Sequence, residues 1–240
     1  MEAVMKKTRI TLSLILFAIF LAYTCLCLIV DLSQTVKPRD AYTNEEKYGM
    51  VELGFSTLNT KVSKHLDYNE TFYKTSEYLG YLALLVGAAI GCLWLYNLVR
   101  TRSILRVAPI LNASIVALAL MVGFYVLFEV LKVNVRPLVL EDGLEASYPS
   151  SHTLLGLTVF GCAAMVCAKL IPDKGLGRSL CWLNWLLGAM LMLFRMLSGV
   201  HWLTDVLGGV MLSAALLYFA VYLSQLQERS VSESLLNPAK

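Results

Sequence analysis

Six stretches of the chain carry no Asp, Glu, Lys or Arg: Ile10 to Val30, Tyr78 to Val99, Val107 to Phe128, Thr153 to Ala168, Ser179 to Phe194 and Val206 to Gln227. Apolar residues collected into blocks of this kind need a bilayer to solvate them. They predict an all-α fold, a bundle of six transmembrane helices at about 10–30, 78–99, 107–131, 153–171, 179–197 and 204–227. Between the first two lies a long loop, 31–77, and after the last a polar tail, 228–240. The first 227 residues read as a single domain.

Block length separates the six. Four reach about 20 residues or more, enough at ~1.5 Å per residue to cross a hydrocarbon core of ~30 Å. The fourth and fifth have only 16 residues, about 6 Å short on the same arithmetic. His152 stands just before the fourth block and Arg195 just after the fifth. Both polar groups are therefore expected at or just inside one membrane face, where ionisable side chains are costly and functional.

Composition agrees, with 58% hydrophobic and 15% charged residues. Lys6, Lys7 and Arg9 precede the first block as in a secretory signal, but the block is too long and lacks a small-residue cleavage site, so it reads as a retained helix. The six cysteines all fall in apolar blocks, with neither disulfide-framework nor zinc spacing. The net charge of +3 reads as topology rather than nucleic-acid binding. Placing both termini and the short links 100–106 and 169–178 on the cytoplasmic side collects eleven Lys and Arg there against nine on the other. That orientation makes the protein a multi-pass component of the plasma membrane with the His152 end outside. In loop 31–77, acidic and basic residues mix with Val51, Leu53, Phe55 and Leu58. The loop reads either as short interfacial helices or as a partly ordered cap. Gly87 with Gly91, and Gly209 with Ser213, have the spacing of close helix packing.

Polar residues outside that loop gather in two connections, Glu129 to His152 and Arg195 to Asp205. His201 and Asp205, four apart, share one face of a helix. The carboxylate can accept the Nδ1 proton and leave Nε2 as nucleophile or base. A helix-start pair satisfying its own hydrogen bonds has the same spacing, with Thr204 or Asp205 as a cap. Pro149-Ser150-Ser151-His152 opens the fourth block, so the Ser150, Ser151 and His152 amides can face an anion. Arg136 and Arg195 add planar donor forks suited to phosphate, and Lys132 a point charge. A metal site built from His152, His201 and Asp205 would set a dication beside two arginines. Ser151 cannot be aligned by its own neighbour His152 as in a serine hydrolase.

These residues resemble the type 2 phosphatidic acid phosphatase superfamily, whose motifs are written KxxxxxxRP, PSGH and SRxxxxxHxxxD. The matching positions are Arg136-Pro137, then Pro149-Ser150-Ser151-His152, then Arg195, His201 and Asp205. The resemblance implies a six-helix bundle with an extracytoplasmic active site that needs no metal or other cofactor. It also implies hydrolysis of a phosphate ester through a phosphohistidine. His201 is then the nucleophile, Asp205 its orienting carboxylate and His152 the general acid. Arg136, Arg195 and the Ser150 and Ser151 amides bind phosphate, with Lys132 as a further candidate. Three positions depart from the pattern: Glu129 stands where the family has lysine, Ser151 where it has glycine, and Phe194 where it has serine. The bilayer and a lipid carrying phosphate or diphosphate are the expected partners: phosphatidate, phosphatidylglycerophosphate, diacylglycerol diphosphate or polyprenyl diphosphate. Two other functions fit parts of the pattern: a lipid phosphotransferase with the same trio, and a membrane protein that binds anionic lipid without catalysis.

Overall fold

A computed structural model describes residues 2–32, 35–36, 38–41, 43, 45, 51–140 and 145–236, with backbone alone for 2–9, 35–36 and 233–236. Part of the loop 31–77 and the last four residues of the tail lie outside the described residues.

Six long helices carry the fold: α1 (Glu2–Ile29), α3 (Glu70–Thr101), α4 (Pro109–Leu131), α5 (Ser151–Leu170), α6 (Lys174–Leu197) and α7 (Leu203–Leu236). Each contains an apolar window long enough to span a membrane, so the chain is an integral membrane protein. Their starts follow from local chemistry. The Asn69 side chain accepts from Phe72 N at 3.0 Å to cap α3, Asp173 accepts from Leu176 N at 2.8 Å to cap α6, and Pro109 opens α4 at a position where no backbone donor is needed. Two helices overrun the charge-free blocks. α3 begins eight residues before Tyr78, taking Glu77 into the bundle, and α7 continues to Leu236, so most of the expected polar tail is helical.

α5 sits centrally, packed against α3, α4, α6 and α7, while α1 lies on α7. Small residues permit the contact. A Cβ on Gly156 of α5 would come within 2.9 Å of Leu191 Cδ1 of α6, and one on Gly209 of α7 within 3.0 Å of Thr153 Cβ. Ser213 Oγ donates to Leu154 O at 3.3 Å, so the Gly209 and Ser213 pair does face a helix, as its spacing predicts. Of the other pair, Gly87 approaches Val159 while Gly91 has nothing within 4 Å of its added Cβ.

The segment between α1 and α3 forms a cap over one end. It holds the helix α2 (Ser56–Ser63) and short strands β1 (Thr35–Val36), β2 (Arg39–Asp40) and β3 (Val51–Glu52). β1 pairs with β3, and β2 with β4 (Leu138–Val139) in the connection between α4 and α5. The cap is fastened to α7 by Asn59, whose Nδ2 donates to Thr204 Oγ1 at 2.9 Å and whose Oδ1 accepts from Thr204 N at 3.2 Å. At the opposite end, Asn112 accepts from Trp94 Nε1 at 2.8 Å and donates to Gln227 Oε1 at 2.9 Å, binding α3, α4 and α7 together.

Candidate active site

Under the cap, the ends of α3, α5, α6 and α7 meet the connection from α4 to α5. That connection folds back on itself: Val135 pairs with Ala146, Ser147 N donates to Asn134 O at 2.9 Å, and Arg136 N donates to Glu145 O at 3.2 Å. Residues 141–144 within it are outside the described set. The hairpin presents Asn134 and Arg136 to the bundle, and Trp202 Nε1 holds it there through Val135 O at 2.7 Å. The turn from α6 to α7 passes through Gly199 at φ +76°, where an added Cβ would lie 3.0 Å from Leu66 O and Asp67 O. A left-handed glycine is required by both the dihedral and the contact.

Asp205 is fully buried and occupied on both oxygens. Oδ2 accepts from Trp202 N at 2.9 Å, capping the start of α7 from its third residue, and Oδ1 accepts from Asn134 Nδ2 at 3.1 Å. His201 Nδ1 stands 3.7 Å from Asp205 Oδ2, beyond a hydrogen bond. The two side chains do not share the helix face that the four-residue spacing predicts, because His201 lies in the bend before α7; the carboxylate comes near the imidazole while capping the helix, as the alternative reading required. His201 is buried, and its imidazole is held well below the ordinary pKa range, first by burial and then by the positive charges of Arg195 and Arg136.

His152 is the second residue of α5 and reaches α3, with Nε2 3.2 Å from Glu77 Oε1. Arg195, in the last turn of α6, is 1% exposed; its Nη1 donates to the same Glu77 oxygen at 2.8 Å and to Ser76 Oγ at 3.2 Å, with its Cζ 5.0 Å from the Tyr73 ring centroid. Arg136 Nη1 pairs with Glu145 at 2.8 Å. After these contacts, Arg136 Nε, His152 Nδ1, Arg195 Nε and both ring nitrogens of His201 remain buried without a hydrogen-bond partner among the described residues. Native interiors rarely leave such groups unpaired. Five such nitrogens, on two arginines and two histidines, gather at one bundle end.

Two expected ligands sit differently. The Ser150 amide does not face the cluster, because it donates to Asp205 O at 2.9 Å. This corrects the expectation drawn from its position: the carbonyl of α7 arrives where the anion was placed. Ser151, the first residue of α5, keeps an amide in the helix's open first turn. Lys132 ends α4 in a left-handed conformation at φ +46°, its backbone N–H donating to Phe128 O at 3.1 Å, and its exposed side chain has no hydrogen bond or ion pair among the described residues. It stands outside the cluster.

Residues 129–229 match the sequence model of the PAP2 superfamily. The matched stretch, less than half of the 240 residues, contains the Arg136, His152, Arg195, His201 and Asp205 positions. Among solved structures, it is similar to a transmembrane PAP2 type phosphatidylglycerolphosphate phosphatase from Bacillus subtilis, with 18% identity, a TM-score of 0.54, and coverage of 88% of this chain and 93% of that one. That likeness establishes a shared fold. No curated protein matches the chain.

Sequence reasoning missed Glu77, Asn134 and Asn59. Glu77 lies one residue before a charge-free block, which made it look like loop. The asparagines carry no charge or motif that would have marked them. A cavity of about 470 Å³ opens beside Glu77 and His152, walled by Gly80, Leu84 of α3, Met121, Val122 of α4 and Leu155 of α5.

Proposed function

We propose that this protein is a membrane lipid phosphatase that removes phosphate from a lipid phosphate or diphosphate through a phosphohistidine on His201. The observation carrying the proposal is the set of unpartnered buried nitrogens on Arg136, His152, Arg195 and His201. A phosphoryl group bears its transition-state charge on equatorial oxygens, so catalysis needs positioned cationic donors and a neutral in-line nucleophile. Arg136 and Arg195, with the Ser151 amide, take the oxygens. His201 Nε2, the ring nitrogen away from Asp205, attacks phosphorus as the ester P–O bond breaks, and His152 gives its proton to the departing oxygen. His152 then takes a proton from water, which attacks phosphorus and breaks the P–N bond. Asp205 stabilises the positive charge that His201 acquires.

The apolar cavity against His152, at the depth of the spans, suits a substrate with its headgroup at the cluster and its chains among α3, α4 and α5. Phosphatidylglycerophosphate, the lipid named for the similar fold, is the first substrate to try. The proposed topology puts the cluster outside the cytoplasm, since both chain ends leave the bundle at its other end.

The test is phosphate release by purified protein in detergent with chelator, over phosphatidylglycerophosphate, phosphatidate, diacylglycerol diphosphate and polyprenyl diphosphate. At least one is hydrolysed, and His201→Ala lowers that rate by about 10³-fold or more. No release from any substrate, or an unaffected variant, would sink the proposal. Assay with an added acceptor lipid separates hydrolysis from phosphoryl transfer.

A further inference from the structure

α3 brings two residues to the site that no motif contains. Glu77 Oε1 accepts from Arg195 Nη1 at 2.8 Å and lies 3.2 Å from His152 Nε2, so one oxygen joins cationic groups from two other helices. Almost one turn further along, an added Cβ on Gly80 would lie 3.1 Å from His152 Cδ2 and 3.3 Å from its Nε2. The Cδ2–Nε2 edge of the imidazole therefore rests on α3, with Gly80 beneath it and Glu77 as its polar neighbour. Nδ1 lies across the ring from that edge. It is one of the buried nitrogens without a partner among the described residues, as is Arg195 Nε. Glu77 thus engages each cation on one side and leaves a donor of each unengaged.

We propose that Glu77 and Gly80 are positioning residues that select which nitrogen of His152 moves the proton. Glu77 accepts the hydrogen bond from Nε2–H, which fixes the tautomer and leaves Nδ1 to exchange a proton with the departing oxygen and then with water. Gly80 allows the ring to approach α3 closely enough for that bond. The same carboxylate holds Arg195 in register, so proton donor and phosphate ligand are set from one point. The catalytic sense of this inference rests on the phosphatase proposal, whereas the seating of the ring does not.

The decisive measurement is the tautomer of His152 in the full chain, labelled with ¹⁵N-histidine in detergent micelles at alkaline pH, where imidazoles are neutral. The chain has three histidines, and His65→Gln and His201→Gln variants assign them. His152 is expected as the Nε2–H tautomer in the wild type and as a mixture in Glu77→Leu. Gly80→Ala, which presses a methyl group into the ring edge, lowers kcat about tenfold with KM changed less than about twofold, since small misplacement of a reacting group costs rate more than binding. If Glu77→Leu does not fold, the wild-type tautomer and Gly80→Ala still decide. A wild-type chain that releases phosphate with His152 protonated on Nδ1 overturns this inference and spares the phosphatase proposal. Nε2–H without phosphate release from any substrate does the reverse. An unchanged tautomer in folded Glu77→Leu, or an unchanged kcat in Gly80→Ala, also overturns it.

Discussion

In the proposed reaction the His201 imidazole must be neutral when substrate arrives, and its surroundings favour the neutral form. Burial and the charges of Arg195 and Arg136 hold its pKa well below the ordinary value, near 6.5 for a free side chain (about that in the unfolded chain). Between the folded and unfolded values only the unfolded state takes up the proton, so stability rises with pH there and is lost on acidification. The thermal midpoint in detergent is therefore expected to fall as pH drops below about 6.5. His201→Gln should flatten that decline; an equal decline in the variant would contradict the assignment. At this scale the motif spacing made His152, His201, Asp205, Arg136 and Arg195 legible. Asn134 was not, because its partner Asp205 is 71 residues away and only the fold joins them.

Helix ends account for what was misread among the elements. A charge-free criterion ends a span at the first ionisable residue, yet α3 carries Glu77 inward, where Arg195 and His152 meet it. The converse holds at the end of α4. Lys132 looks like a phosphate ligand by its place near Arg136, but its left-handed backbone turns the chain out of the helix and leaves the ammonium exposed. A non-glycine residue in that region costs about 1–2 kcal/mol. Lys132→Gly is accordingly expected to raise stability by up to about 1 kcal/mol and to leave phosphate release unchanged. A large loss of activity would return Lys132 to the site. Ser150 shows the same limit, since a sequence places its amide at a helix start but cannot foresee that Asp205 O takes it.

For the molecule as a whole, an even number of antiparallel spans sends both termini to the end remote from His201. The arginine and lysine count favours the cytoplasm for that end. In a background with its cysteines replaced, Lys132→Cys should react with an impermeant maleimide from outside intact cells, and Arg102→Cys only after permeabilisation; the opposite pattern would invert the topology. The number of spans was legible because each must be apolar through the bilayer. The cap was only partly so, because β2 takes its place from β4 and α2 from Thr204 of α7 rather than from their own pattern.

The central place of α5 has a consequence for how lipid acts on this protein. Surrounded by four helices, α5 has little surface on which the bilayer can press, and its length need not follow membrane thickness. α3 has 32 residues, little of it buried; its charge-free stretch, Tyr78 to Val99, suffices at ~1.5 Å per residue for the ~30 Å core, so the turns that carry Glu70 to Glu77 project beyond it. The histidine thus rides on the insulated helix and its carboxylate neighbour on the helix with more outer surface, so a displacement of α3 along its axis would change the 3.2 Å between them.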